Sequence, residues 1–419
     1  MSAQCKNTSC AEVSPGTAPP EYVDPINSIT ADMVEVSIYI LCLCTGGPLN
    51  VISIIRTCKA YLRDRRGRNQ ILLLRINLNV ADLLTMFIYT PTQIIWMTTY
   101  QWYGGDILCR VCKFFYTFSF YLNSFVIADI AIDRVCSAYR LQAVKSSEGS
   151  FKRVRRSLIA AYICAVICSV PQIFIFRVFH PAEMGDFRQC TPVWTVLAYE
   201  LDIQLDSSKL SEKDKQKLIA NYLQAIRWEK LYNIAHLLLV FWVPTLIITI
   251  SYIFVICKLK SLSGKEYRKV NLENEFLTTP KQQCSENGSG LSIGNVLPIA
   301  LLTRKSIISE NSENNNDYAN PLSVIGGKRA SQIGTHARRT VHRATKVATR
   351  QAAMILLAYL TLWSPYNVLA MMNLFASSSS ERSIAQVTLT FLNALIVVNP
   401  VVNPIIYGLF QSPSKRDVR

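Results

Sequence analysis

Seven stretches of this chain carry no Asp, Glu, Lys or Arg: Val36 to Ile55, Leu83 to Gly105, Phe114 to Ala128, Ser157 to Phe176, Leu231 to Cys257, Gln351 to Ser380 and Ser383 to Ser414. A transmembrane helix takes roughly 20 predominantly apolar residues, and most of these runs reach that length. Lipid offers no partner to a backbone N–H or C=O, so each run must satisfy its own polar groups as a helix. The third run is short because Asp129 and Asp133 interrupt its end, and the second span begins earlier, near Ile71, with Arg75 and Asp82 inside it. The pattern predicts an all-α membrane protein, a seven-transmembrane helix bundle.

A formal net charge of +16 raises nucleic-acid binding as an alternative. The positive charge, however, falls in alternate loops rather than in one aromatic-interleaved patch. Arg56, Lys59, Arg63, Arg65, Arg66 and Arg68 follow span one, and Lys145, Lys152, Arg153, Arg155 and Arg156 follow span three. Lys258, Lys260, Arg338, Arg339, Arg343 and Lys346 bracket the link between spans five and six. Positive-inside bias then puts the N-terminus outside and the C-terminus inside, with no nucleic acid as partner. No apolar leader of signal-peptide type precedes span one, which is expected to direct insertion itself.

The resulting organisation is an extracellular segment over residues 1–34, spans one to five with their loops over 35–257, and a long cytoplasmic loop over 258–341. Spans six and seven follow over 342–410, with a short cytoplasmic tail at 411–419. The long loop is rich in Ser, Asn and Gly without hydrophobic periodicity, and is expected to be largely disordered. The loop after span four is different. Ser211-Glu212-Lys213-Asp214 has capping-box spacing, and Leu218, Tyr222 and Ile226 share a face, which predicts a short amphipathic helix outside the membrane.

Of the 13 cysteines, only Cys5, Cys10, Cys109, Cys112 and Cys190 face the oxidising side on this topology. Cys109 opens span three and Cys190 lies in the loop after span four, so a bridge between them would tie that loop over the bundle. Cys5 with Cys10 is a second candidate pair. Asn7-Thr8-Ser9 is an outside glycosylation sequon, whereas Asn287-Gly288-Ser289 falls inside. His180, His236, His336 and His342 are widely separated, which gives no metal site and makes each a surface or packing residue. No phosphate-cradling loop or nucleophile motif points to an enzyme or to a cofactor.

Polar groups inside the spans carry the functional signal. Asp82 in span two, Asn123 in span three, and Asn399 and Asn403 in span seven lie at membrane depth, where a carboxylate must find polar partners or take up a proton. A shared water or cation site satisfies all four, and independent helix-to-helix hydrogen bonds are the alternative. Span seven also holds Asn399-Pro400 and Asn403-Pro404, tolerable only in a helix bent against its neighbours.

Together these residues resemble the rhodopsin-like G-protein-coupled receptors. The resemblance rests on Asn50 in span one, Asn77-Leu78-Asn79-Val80-Ala81-Asp82 in span two, and Asp133-Arg134 ending span three. It continues through Pro244 and Tyr252 in span five, Trp363-Ser364-Pro365 in span six, and Asn403-Pro404 with Tyr407 in span seven. It covers nearly the whole chain. An opsin would need a retinal-binding lysine in span seven, and none lies between Ser383 and Ser414. A class A receptor for a non-peptide ligand is one alternative, and a seven-span transporter is a more remote one, for which paired broken helices in inverted repeats are not evident.

A narrower similarity is carried by Gln101-Trp102-Tyr103-Gly104-Gly105-Asp106-Ile107-Leu108-Cys109-Arg110-Val111, by Pro171-Gln172-Ile173-Phe174-Ile175-Phe176-Arg177 and by Trp363-Ser364-Pro365-Tyr366-Asn367-Val368-Leu369. These look like the gonadotropin-releasing hormone receptor group, whose relatives include adipokinetic hormone and vasopressin or oxytocin receptors. Vertebrate members swap the polar partners of spans two and seven. This chain keeps Asp82 and Asn403, which points to an invertebrate-type member. Departures from the general pattern are Val135 after Asp133-Arg134, Tyr162 in place of the span-four Trp, Leu362 before Trp363, and Tyr359 in place of a common Phe.

The resemblance implies a plasma-membrane receptor for a neuropeptide or peptide hormone that signals through a heterotrimeric G protein, with Gq expected. Arrestin and membrane lipid are further expected partners. Peptide would enter among Gln93, Trp96, Trp102, Tyr116, Gln172, Tyr366, Asn367 and Asn393. Pro365 removes a backbone hydrogen bond beneath Trp363 and would provide the kink about which span six swings. Arg134 would then leave Asp133 and meet Tyr252 and Tyr407, with Asn403 and Pro404 completing the switch. Many relatives also pair this arginine with an acidic residue at the inner end of span six. The corresponding turn here, His342-Arg343-Ala344-Thr345-Lys346, has no carboxylate, so modest basal signalling is expected.

Overall fold

The computed structural model describes residues 25–64, 69–140, 147–181, 185–206, 211–278, 322–375 and 379–409. The Asn7 sequon, Cys5, Cys10 and the tail at 411–419 lie outside the described residues. Contacts divide the chain into one unit of Met1–Ile256 with Lys346–Arg419 and a second of Cys257–Thr345. Six described helices are long and apolar enough to cross a membrane: Asp32–Arg63, Gln70–Thr99, Gly105–Tyr139, Gly149–Ile175, Glu212–Lys258 and Lys346–Phe375. The seventh is Ser379–Leu409, whose stretch Leu392–Gly408 is an apolar helix.

Prolines shape the spans, and other helices take up the groups they release. In span two the residues Thr85–Tyr89 widen into a π turn ahead of Pro91, and in span five Leu238–Trp242 do the same ahead of Pro244. The N–H just before each proline reaches five residues back, from Thr90 to Thr85 O and from Val243 to Leu238 O. Proline has no N–H for the carbonyl four residues earlier, so that carbonyl needs another donor. For Pro404 the freed carbonyl is that of Pro400, and Asn50 of span one donates to it at 2.8 Å. For Pro244 it is that of Val240, whose oxygen lies 3.1 Å from the hydroxyl of Tyr359 in span six.

Span three is the axis of the bundle: Leu122, Val126, Ile127 and Ala131 are wholly buried. They pack in one cluster with Leu78, Phe241, Ile248, Tyr359, Trp363 and Tyr407, contributed by spans two, five, six and seven. Outward-facing Leu41, Ile163, Ile167, Leu246 and Leu357 are exposed, as suits helices whose outer faces meet lipid tails. Tyr162, the departure in span four, packs against the same cluster and donates to Asn77 Oδ1 at 3.0 Å. A polar link between spans two and four is thereby kept without an indole.

Three features of the loops go beyond the sequence expectation. The stretch after Ser211 is helical, and its helix runs without a break from Glu212 into span five, because no Gly or Pro occurs before Pro244. Ser211 caps it through its backbone, its carbonyl accepting from Asp214 and Lys215 N–H at 3.0 Å each, rather than through its side chain. The loop after span four also contains an antiparallel hairpin, β1 (Phe176–Phe179) with β2 (Gln189–Pro192), and a helix Val193–Asp206. Finally, the fifth-span helix continues to Thr278 and the sixth begins at Leu322, so the boundaries drawn at 257/258 and 341/342 fall inside helices. Residues 279–321 lie outside the description.

Candidate functional site

Cys109 and Cys190, the candidate pair, form a disulfide with 5.7 Å between their Cα atoms. Cys190 pairs with Val178 in the hairpin, so the bridge fastens both strands to span three. Asp106 Oδ1 accepts the Val178 N–H at 2.9 Å, and Arg110 donates to the Ile173 carbonyl at 2.9 Å. Trp102 is part of this fastening, its indole donating to Gly105 O and its N–H to Arg188 O, each at 2.9 Å. Cys112 remains a buried free thiol.

Beneath the hairpin lies a connected polar and aromatic network. Trp96 donates to Gln189 Oε1 of the hairpin at 2.6 Å. The Lys113 ammonium sits 4.5 Å from the Trp96 ring centre, 4.9 Å from that of Phe176 and 5.5 Å from that of Tyr116. Such a cage holds a cation without neutralising it. Tyr116 donates to Thr92 Oγ1 and stands edge-on to Tyr89, ring centres 5.0 Å apart. Asn393 of span seven donates to the Tyr89 hydroxyl at 2.7 Å and to that of Tyr39 at 3.4 Å, while Tyr39 donates to Glu35 at 2.5 Å. The second Glu35 carboxylate oxygen is buried with no partner among the described residues.

Of the eight residues expected to meet a ligand, the structure therefore links Trp96, Tyr116 and Asn393. Gln172 belongs to a separate group toward span five, donating to the Tyr232 hydroxyl. Tyr232 stacks on His236, whose Nδ1 is 2.9 Å from the Tyr121 hydroxyl. Asn367 turns back on its own helix, donating to Trp363 O at 2.8 Å, and Tyr366 packs against the central cluster. Gln93 is buried. Glu35, Tyr39, Tyr89 and Lys113 escaped the sequence reading. Glu35 and Lys113, each adjoining a charge-free run at its outer side, were the available signals.

At mid-membrane the four polar residues do converge. Asp82 is fully buried. Its Oδ1 accepts from Asn123 at 2.9 Å and from Asn403 at 3.2 Å, and its Oδ2 accepts from Asn403 at 3.0 Å. Asn399 donates to Asn123 Oδ1 at 3.5 Å. Oδ1 of Asn399 and of Asn403 are buried without a partner among the described residues. Two spare oxygens beside a carboxylate fit a hard cation or water, whose ligands are oxygens.

Just above, Trp363 stands edge-on to Phe120, ring centres 5.7 Å apart, and leans on Tyr359 at 5.1 Å. At the end of span three Arg134 is buried and paired with Asp133, whose other oxygen takes a bond from Arg153 at 3.1 Å. Tyr252 donates to the Thr349 carbonyl at 3.3 Å, and the Tyr407 hydroxyl has no partner among the described residues. The side chain of Thr345 lies outside the description. Arg75, noted in the sequence only as a charge inside span two, places its guanidinium 5.3 Å from the centre of the Tyr407 ring.

Seven helices, a disulfide-tethered outer loop, a buried Asp–Asn cluster and a buried Asp–Arg pair define a class of membrane receptor. Residues 51–407 match the 7 transmembrane receptor (rhodopsin family), and the chain belongs to that family. It is similar to the G-protein coupled receptor daf-38 of Caenorhabditis elegans, 28% identical over 404 residues that cover 92% of this chain and 90% of that protein. A gonadotropin-releasing hormone receptor of Octopus vulgaris is 24% identical over 379 residues, covering 89% and 72%. The human gonadotropin-releasing hormone receptor is 28% identical over 164 residues, covering 38% and 49%. The protein is thus a multi-pass plasma-membrane receptor, not an enzyme, and its partners are an extracellular ligand and a G protein.

Proposed function

We propose that this receptor takes a neuropeptide or peptide hormone of the gonadotropin-releasing hormone type and couples to a Gq-class protein. The observation that carries the reading is the outer network, in which spans one, two, three and seven meet under the tethered hairpin with an unpaired carboxylate oxygen at Glu35 and a caged cation at Lys113. A peptide offers both backbone amides and charges to such a lining, whereas an amine finds no acidic anchor seven residues after Cys109, where aminergic receptors carry Asp and this chain has Tyr116. The similarity to receptors named for gonadotropin-releasing hormone supports the same class of ligand.

In this reading the N-terminus is outside and the contact residues are Glu35, Gln93, Trp96, Lys113, Tyr116, Gln172, Tyr366, Asn367 and Asn393. Binding shifts the balance between two helix arrangements, and because coupling is reciprocal, G protein bound inside tightens peptide bound outside. Asp133 with Arg134, and Tyr252 with the Thr349 carbonyl, hold the resting arrangement. Bending of span six at Pro365 frees Arg134 to meet Tyr252 and Tyr407, with Asn403 and Pro404 shaping span seven. Asp82, Asn123, Asn399 and Asn403 hold sodium or water at rest. The test is a screen of receptor-expressing cells against amidated neuropeptides with calcium and cyclic-AMP readouts. A calcium response to one peptide is expected. Silence in both channels across the library, or activation by a small non-peptide alone, overturns the ligand class.

A further inference from the structure

Arg75 lies about two turns toward the cytoplasm from Asp82 in span two, and touches both helices that the switch must move. Its Nη2 donates to Gln351 Oε1 of span six, and its guanidinium lies over the face of Tyr407 in span seven. Gln351 is buried and its amide nitrogen has no partner among the described residues. Among those residues no carboxylate pairs with Arg75. The turn from His342 to Lys346, where an acid would restrain span six, supplies none.

We propose that Arg75 is a positioning residue that latches the inner ends of spans six and seven to span two, replacing the absent acidic lock. The inference rests on the receptor switch described above. A ligand or contact shifts an equilibrium only by what it does differently in the two states. Outward movement of span six withdraws Gln351 from Arg75, and rotation of Tyr407 toward Arg134 removes the ring from beneath the guanidinium. Both contacts belong to the resting arrangement alone. A charge-assisted hydrogen bond and a cation over an aromatic face are each stronger than a neutral or exposed counterpart, and here they act on the two elements whose release defines activation.

The experiment compares agonist-independent signalling, at matched surface expression, of wild type, Arg75→Met, Gln351→Leu, Gln351→Glu and the Arg75→Met/Gln351→Glu double variant. The readout is dissociation of Gs, Gi, Gq and G12 heterotrimers in cells, with hydrogen exchange over residues 346–356 of purified receptor alongside. Arg75→Met is expected to raise the active fraction roughly ten-fold, the equivalent of about 1.4 kcal/mol, and to speed exchange. Gln351→Leu should do so less, since the Tyr407 contact survives. Gln351→Glu gives the guanidinium an ionic partner and should lower basal signalling and slow exchange, but only when Arg75 is present. That dependence is what a merely structural arginine would not produce. Equal exchange and equal basal signal in wild type, Gln351→Leu and Gln351→Glu overturns the latch, even if Arg75→Met fails to reach the surface. Exchange that changes as expected while no G protein responds keeps the latch and instead counts against the coupling assignment.

Discussion

Tyr359 stands where many relatives carry Phe, so Tyr359→Phe changes little but one hydroxyl. That hydroxyl lies 3.1 Å from Val240 O and 3.1 Å from Ser124 Oγ. It has a single proton, and a carbonyl can only accept, so the phenol donates to Val240 while Ser124 donates to the phenol. Pro244 offers no N–H to the Val240 carbonyl four residues back, and Val240 and Tyr359 are buried away from water that could replace that donor. Leaving that carbonyl unsatisfied costs about 1–3 kcal/mol. Ser124→Ala alone costs about 0.5–1.5 kcal/mol for its hydrogen bond, and in the Tyr359→Phe background most of that cost should vanish because its acceptor has already gone. Reversible unfolding of purified receptor in graded denaturing detergent, with thermal inactivation as a check, supplies the four corners of the cycle. Equal stability of Tyr359→Phe and wild type, or a Ser124→Ala cost that is the same in both backgrounds, refutes the proline-release argument.

Replacing Cys109 or Cys190 with Ser should reduce folded surface receptor, with either loss looking like both, since native bridges in small secreted domains contribute about 2–5 kcal/mol. Flow cytometry on intact cells and agonist potency check this, and wild-type behaviour of Cys190→Ser contradicts it. Sodium should weaken agonist binding through linkage to the Asp82 cluster, and Asp82→Asn should blunt the effect; equal insensitivity of wild type and variant in a radioligand assay leaves hydrogen bonding alone at that site. Lys113→Met should lower potency toward a peptide carrying a carboxylate or carbonyl that faces the cage roughly ten-fold or more, without loss of surface expression, and unchanged dose–response curves remove Lys113 from the contact set.

Bilayer length and the position of charges made the seven spans legible, because lipid imposes one backbone solution and tolerates few charges. The Asp82 cluster was legible for the same reason: a carboxylate at that depth needs partners, and Asn123, Asn399 and Asn403 were polar groups at matching depth in other spans. What escaped was anything decided between helices. Lys113 adjoins a charge-free run and reads as a boundary residue, yet Trp96 of the preceding span and Phe176 of the hairpin make its cage. Arg75 reads as an isolated charge until Gln351 and Tyr407 arrive from 276 residues downstream and beyond. The eight candidate contacts were chosen by residue type near outer span ends, which does not distinguish Trp102, used to fasten a loop, from Trp96, which faces the network. The amphipathic face after Ser211 was real in sequence, but nothing in the pattern marked where a surface helix stops and a spanning one begins.

The central claim is that an extracellular peptide drives nucleotide exchange on a G protein through Arg134. Its most direct test is GTP exchange on purified heterotrimers by receptor in lipid nanodiscs, with and without the activating peptide, for wild type and Arg134→Ala. The account predicts peptide-stimulated exchange in wild type, and its loss in Arg134→Ala with peptide binding retained. A peptide that binds the wild-type receptor yet stimulates exchange on no G-protein class, or stimulates it equally in Arg134→Ala, contradicts the account.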